Sequence, residues 1–273
     1  MTTLKNDIQL QFVQMVWEYY GEHGRDLPWR HTTDPYRILV SEIMLQQTQV
    51  DRVKVKYTEF LKRFPNIQTL ADASIADVLA VWSGLGYNRR ALYLKKTAEI
   101  IVDKYDGIVP RDRVLLHSFP GIGSNTAGAI LAYSFNDPVV FIETNIRRVF
   151  LHHFFSDQVA IDDKEIIPLI EQTLPDERAR EWYWALMDYG TYLAITVVNP
   201  NQRSKHYNKQ SKFEGSRRQL RGILLRELAD GSKSFARLRA ISPEFTKDML
   251  QKVLADLETE GFIVRVGRSY QLA

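Results

Sequence analysis

Two glutamates stand in settings that suit paired acid–base chemistry. Glu42 lies inside Ile38-Leu-Val-Ser-Glu-Ile-Met-Leu45, with apolar residues on both sides. Partial burial there would raise its pKa and keep it protonated near neutrality. Glu143 follows the apolar run Val140-Phe-Ile and precedes Thr-Asn-Ile-Arg-Arg-Val149. A carboxylate at such a boundary caps the coming helix and can also face a developing positive charge. A carboxylic acid held protonated and a fixed carboxylate are residue types that general acid–base chemistry uses. Each residue has a plainer alternative. Glu42 could sit on a solvated helix edge, and Glu143 could do no more than cap.

A third pattern is Ser118-Phe-Pro-Gly-Ile-Gly-Ser-Asn-Thr-Ala-Gly-Ala-Ile130. It joins two helical stretches through a turn with two glycines. Gly121 and Gly123 permit positive φ and close approach by another backbone. The amides that open the second helix, around Ser124 and Thr126, can grip an anion such as a phosphate without any side-chain charge. The plainer alternative is a helix–helix turn that binds nothing.

Helical periodicity dominates the chain that must position these residues. Residues 7–23 place Ile8, Phe12, Met15, Val16, Tyr19 and Tyr20 on one face. Pro35 opens the Glu42 helix. Further helices are expected over 51–63, 75–82, 88–105, 112–117, 124–134, 144–155, 163–173 and 177–193, separated by proline and glycine breakers. No convincing alternating strand precedes residue 260. Residues 201–222 carry seven Lys or Arg and one acid, Glu214, which reads as a basic linker. Beyond it, helices over 217–228, 233–240 and 244–260 and two short strands across Gly267-Arg268 form a winged-helix pattern. The expected fold is mainly α: a two-lobed helical core over 1–200, its terminal helices returning to one lobe, a linker over 201–216, and a winged-helix-like module over 217–273.

The hairpin motif resembles that of the helix-hairpin-helix DNA glycosylase superfamily. Leu27-Pro-Trp-Arg30, Ser41-Glu-Ile-Met-Leu-Gln-Gln-Thr-Gln-Val50, Trp82-Ser-Gly-Leu-Gly-Tyr87 and Ala185-Leu-Met-Asp-Tyr-Gly190 resemble its MutY-type adenine glycosylase branch, in the family's order. The resemblance implies base-excision repair, with double-stranded DNA holding a damaged or mismatched base as partner and the base flipped out before hydrolysis. It makes Glu42 the general acid at purine N7 and Glu143 the stabiliser of the sugar cation. Gln47 would intercalate, and Tyr87 would wedge beside the base opposite. Trp29, Arg30, Leu45, Val50 and Asp188 would line the base pocket, each with packing or a salt bridge as its alternative. Asn125 matches the position where lyases of the superfamily carry a catalytic Lys. A neutral amide forms no Schiff base, so a monofunctional enzyme is expected.

The pattern also breaks. The family has Asp where this chain has Glu143, which displaces the carboxylate by about one C–C bond. The chain has no cysteine, so the family's cysteine-held iron–sulfur cluster is impossible. Arg203, Lys205, Lys209 and Lys212 could meet DNA phosphates in its stead, unless the segment is merely a solvated linker. The Nudix-like domain that inspects 8-oxoguanine in such enzymes has no room after residue 222. No cofactor is expected beyond K⁺ or Na⁺ at the hairpin backbone. The substrate reading is adenine opposite 8-oxoguanine or guanine. A glycosylase for another base and a non-catalytic DNA-binding protein remain as alternatives. Net charge is only +3, so global charge points weakly to nucleic acid. With no apolar run of membrane length and no leader pattern, no membrane contact, a cytoplasmic, nucleoid-associated location and a monomer are expected.

Overall fold

A computed structural model describes residues 4–208 and 212–273. The chain forms two compact units, each assembled from separate stretches of sequence.

The first unit combines residues 1–42, 110–118 and 122–209. It holds α1 (Asn6–His23), most of α2 (Pro35–Leu45), α7 (Arg113–Ser118), α8 (Ser124–Phe135), α9 (Thr144–Phe154), α10 (Asp163–Thr173) and α11 (Ala179–Thr196). On α9 the buried residues Ile146, Val149 and Phe150 recur at helical spacing and face α11, which buries Trp182, Leu186 and Leu193. Phe12 of α1 sets its ring 5.3 Å from that of Phe150 and 6.3 Å from that of Trp182. Each such burial contributes roughly 1.5–3 kcal/mol. Gly190 is obligatory in this layer, because a Cβ there would lie 2.5 Å from the carbonyl oxygen of Asn145. That close approach seats the first turn of α9, and with it Glu143, against α11. Ile8, expected on the apolar face of α1, is 43% exposed.

The second unit combines residues 43–109, 119–121 and 210–273. It contains α3 (Val50–Arg63), α4 (Ile67–Ala71), α5 (Ile75–Trp82) and α6 (Arg89–Tyr105). With them cluster α12 (Arg217–Ala229), α13 (Phe235–Ala240) and α14 (Lys247–Thr259). A small antiparallel sheet in the order β1-β3-β2 completes the unit, from β1 (Lys233–Ser234), β2 (Ile263–Val266) and β3 (Ser269–Leu272). The hairpin of β2 and β3 pairs Ile263 with Leu272 and Val266 with Ser269. β1 is an addition to the two strands expected. Its two residues are too few to show alternation. Leu220, Leu224 and Leu228 on α12 and Leu250, Val253, Leu254 and Leu257 on α14 form the core of this segment. α12 packs on α5, and Glu260 binds both Arg221 and Arg89. Three helices followed by a hairpin match the winged-helix expectation. No helix among the described residues is long and apolar enough to cross a membrane.

Candidate active site and nucleic-acid interface

Glu42 and Glu143 come together in the first unit. α2 carries Glu42 among the buried residues Ile38, Leu39, Ile43 and Met44. Burial and the charge of Glu143 push its carboxyl up to about 8. Nothing comparable opposes that rise. Glu143 is the N-cap of α9, and its Oε1 accepts from the amides of Asn145 at 2.6 Å and Ile146 at 2.9 Å. Burial raises its pKa too, but these two amides and the cations Arg148 and Arg147 pull it back. Glu42 is thus pushed towards holding its proton, whereas amides and cations favour the anion of Glu143, an arrangement that can divide an acid from an anion. The cap and the chemistry are compatible. One oxygen takes both amides, which fixes the carboxylate.

Tyr133 is a residue that sequence reasoning missed. It is buried on α8, and the nearby charges of Glu42 and Glu143 add to burial in raising its pKa well above 10.0. Its ring stacks on Trp184 at 6.1 Å and meets Phe141 edge-on at 6.2 Å. The Arg30 guanidinium lies 5.4 Å over Trp184. An aromatic wall thus adjoins the carboxyl pair. At the level of sequence these rings are indistinguishable from core packing.

Arg30 and Asp188, expected in the base pocket, bind each other. Asp188 is 2% exposed and accepts four hydrogen bonds, two from Arg30 at 2.7 and 2.8 Å and two from the backbone and side chain of Arg25 at 2.8 and 2.6 Å. The carboxylate is committed to locking the Leu27-Pro-Trp-Arg30 loop onto α11. Trp29 is buried beside it. Leu45 and Val50 are half-buried and belong to the second unit.

The hairpin glycines differ in what they do. Gly121 has φ +75°, and a Cβ there would press to 3.0 Å on Tyr93. Gly123 has an ordinary extended backbone and open space where a Cβ would go. As N-cap of α8 it supplies no capping side chain to the first turn that Ser124 and Asn125 open. The Ser124 hydroxyl accepts from Arg113 at 3.2 Å, and Asn125 Oδ1 accepts from the amide of Ile142 at 3.3 Å.

Gln47 and Tyr87 both hold left-handed backbones, with φ +55° and +48°. One buried arginine organises both loops. Arg90 donates to the carbonyls of Ile43 at 2.9 Å, Met44 at 2.7 Å and Gln46, to the Thr48 hydroxyl at 2.8 Å, and to the carbonyls of Leu85 at 3.3 Å and Gly86 at 3.1 Å. It satisfies the orphan carbonyls at the end of α2, and burial lowers its pKa to about 10. Of the four cations expected to meet phosphate, Arg203 donates instead to the carbonyls of Leu151 at 2.9 Å and Phe155 at 2.8 Å, closing the end of α9. Lys205 pairs with Asp162 at 3.3 Å, and Lys212 is exposed. Lys209 lies outside the described residues. No cluster of His, Asp or Glu among the described residues could hold a metal ion.

The family described as HhH-GPD superfamily base excision DNA repair protein matches residues 40–175, and HxlR-like helix-turn-helix matches 217–271. The adenine DNA glycosylase of Mycolicibacterium smegmatis is 34% identical over 237 residues, 80% of each chain. The chain belongs to the HhH-GPD superfamily. Its membership bears out the resemblance carried by the sequence blocks. A second adenine DNA glycosylase, from Buchnera aphidicola subsp. Baizongia pistaciae, is 40% identical over 191 residues, which are 68% of this HhH-GPD chain and 54% of that protein. The chain thus spans about half the length of that relative. The solved structure of a thermostable thymine-DNA glycosylase superposes with a TM-score of 0.63 at 26% identity, covering 70% of this chain and 89% of the other.

Proposed function

We propose that this protein is a monofunctional DNA glycosylase that extrudes a base from duplex DNA and hydrolyses its N-glycosidic bond, with adenine opposite 8-oxoguanine or guanine as substrate. The observation that carries this reading is the carboxyl pair, Glu42 held near 8 beside a Glu143 steadied by two amides. Glu42 gives its proton to the departing base as the C–N bond breaks. Ionised Glu143 faces the sugar cation that forms, and water completes the hydrolysis. A pure DNA-binding protein has no use for such a pair.

The hairpin amides after Gly123 hold a phosphate, and Gln47 and Tyr87 enter the duplex from loops that Arg90 braces. Lys205, Lys209 and Lys212 supply positive charge for DNA phosphates, with Arg203 tied to the end of α9. The carbonyls of Pro120 and Gly121 accept from Thr97 and Gln46 at 3.1 Å each and keep a second lone pair for a monovalent cation. Asn125 leaves the abasic site uncut. The similarity to adenine DNA glycosylases supports the choice of base. A second reading, removal of a mismatched pyrimidine, is favoured by the likeness to the thymine-DNA glycosylase structure and by glutamate at position 143.

The test is incubation with duplexes that hold different mismatches and lesions, followed by hot alkali. Strand breaks at adenine opposite 8-oxoguanine or guanine, lost in Glu42→Gln, are expected. Breaks confined to mismatched thymine or uracil would select the second reading, and none on any duplex would overturn both.

A further inference from the structure

The start of the basic segment, expected as linker, is fixed in place. Its short helical turn Pro200–Arg203 leads into a bridge with Ile161, which donates to the carbonyl of Arg203 and accepts from the amide of Lys205 at 2.9 Å each. From that footing the segment holds both ends of α9. Arg203 takes the carbonyls of Leu151 and Phe155 at the far end. At the near end Asn201, 5% exposed, donates from Nδ2 to the carbonyl of Thr144 at 3.1 Å. That carbonyl and the amide of Asn145 are the two ends of one planar peptide. Asn201 grips one end, and Oε1 of Glu143 takes the other at 2.6 Å. Asn199 Oδ1 accepts from the amide of Asn201 at 3.2 Å and more loosely from Nε of Arg148 at 3.4 Å. Arg148 donates onward from Nη1 to Asn145 Oδ1 at 2.5 Å and to the Gly190 carbonyl at 2.7 Å.

Space filling does not explain Asn201. Its Oδ1 is buried and has no partner among the described residues. Such an orphan costs free energy that an apolar side chain of similar size would not. Turning the amide over would press its oxygen on the Thr144 carbonyl, so the nitrogen is what the position uses. We infer that Asn201, with Asn199 seated beside it, is a positioning residue for base excision: it fixes the peptide on which the Glu143 carboxylate hangs. The inference rests on the base-excision reading above, in which Glu143 faces the sugar cation. A bond to the carbonyl also polarises the peptide, which strengthens its amide as a donor to the Glu143 anion. The other titratable and charged groups around that carboxylate are Glu42 on α2, Tyr133 on α8, and Arg147 and Arg148 on α9. Arg147 is paired with Asp163 at the start of α10.

The test separates position from stability. Asn201→Leu removes the donor and the orphan together and keeps the bulk. It should melt within about 3 °C of the parent and bind a duplex with a tetrahydrofuran abasic analogue within about twofold of it. Single-turnover excision from a duplex with adenine opposite 8-oxoguanine, or thymine opposite guanine if the second reading holds, should be at least about tenfold slower. Excision needs Glu143 ionised, so weaker support for its anion should move the rising, acid limb of the rate profile to higher pH. Asn199→Ala, at a half-buried position, should slow excision about threefold in the same way. A folded Asn201→Leu that excises at the parent's rate overturns the inference. So does a loss of rate with the acid limb unmoved, or one matched by an equal loss of affinity for the abasic duplex. Should Asn201→Leu not fold, an unchanged rate and acid limb in Asn199→Ala overturn it. A parent that excises nothing from any duplex overturns the base-excision reading and this inference with it.

Discussion

Replacing Glu42 with glutamine should make the protein more stable in alkali while removing its chemistry. The folded carboxyl titrates near 8, against 4.5 for an ordinary glutamate. Below pH 4.5 both folded and unfolded chains hold the proton, and no stability is lost. As pH rises towards 8 the unfolded chain releases its proton first, so folding is progressively penalised, and above 8 the loss is complete. The gap, 8 − 4.5, is roughly 3.5 pH units. At ~1.4 kcal/mol for each, the ceiling is ~5 kcal/mol. Glu42 keeps some solvent contact and titrates together with Glu143, so about half of that, ~2 kcal/mol, is expected at pH 9. Glutamine mimics the protonated acid in shape and cannot ionise. Thermal unfolding of both proteins at pH 5 and pH 9 in the same salt measures the difference. The variant should melt ~4–8 °C higher at pH 9 and within ~2 °C of the parent at pH 5. In parallel, single-turnover excision should drop at least ~100-fold in the variant, and the parent's rate should decline above pH 8. A difference that does not change with pH, or a variant less stable at pH 9, refutes the claim that the fold holds this carboxyl protonated.

Three further outcomes follow from the geometry. Arg90→Met strands the carbonyls at the end of α2 and should cost about 2–4 kcal/mol in urea unfolding; a variant as stable as the parent would show that these carbonyls find water instead. Glu143→Asp keeps a good N-cap, so stability should hold within about 1 kcal/mol, while the retreat of the carboxylate should slow single-turnover excision by about tenfold or more. An unchanged rate would mean that Glu143 acts only as a cap. Gly121→Ala, forced to φ +75° against Tyr93, should lower the melting temperature by several degrees, of order 1–2 kcal/mol, whereas Gly123→Ala should melt like the parent and bind undamaged duplex about tenfold more weakly. Unaltered affinity in Gly123→Ala removes the hairpin from the DNA interface.

Much of the architecture was legible because helices announce themselves locally. The spacing of Ile146, Val149 and Phe150 and the glycine turn after Ser118 predict α9 and the hairpin closely. Glu42 and Glu143 stood out in the sequence as candidates because burying a carboxylate costs free energy that apolar packing does not offset. What escaped were partnerships across long sequence separations. Arg90 is buried at a helical position where periodicity would place a solvated charge, and nothing local shows that six acceptors surround it. Asp188 offers a pocket carboxylate in the sequence, but Arg25 and Arg30 claim both its oxygens from more than 150 residues away. Arg203 looks like a phosphate ligand within a basic stretch, yet the end of α9 takes it. Charge patterns record how many cations a segment has and leave open which carbonyl each will find.

The grip of Arg25 and Arg30 on Asp188 also sets a clock on synthesis. The first thirty residues leave the ribosome long before their partner on α11 exists. At ~5–20 residues per second, the interval is on the order of 10–30 s. Throughout it Phe12 and Val16 lack the layer that buries them, and two arginines lack their anion. The N-terminal helix of this protein is therefore a waiting segment. Its capture by α11 is the event that closes the unit, and a cell that shelters nascent apolar helices should raise the yield of folded protein more than one that merely slows its degradation.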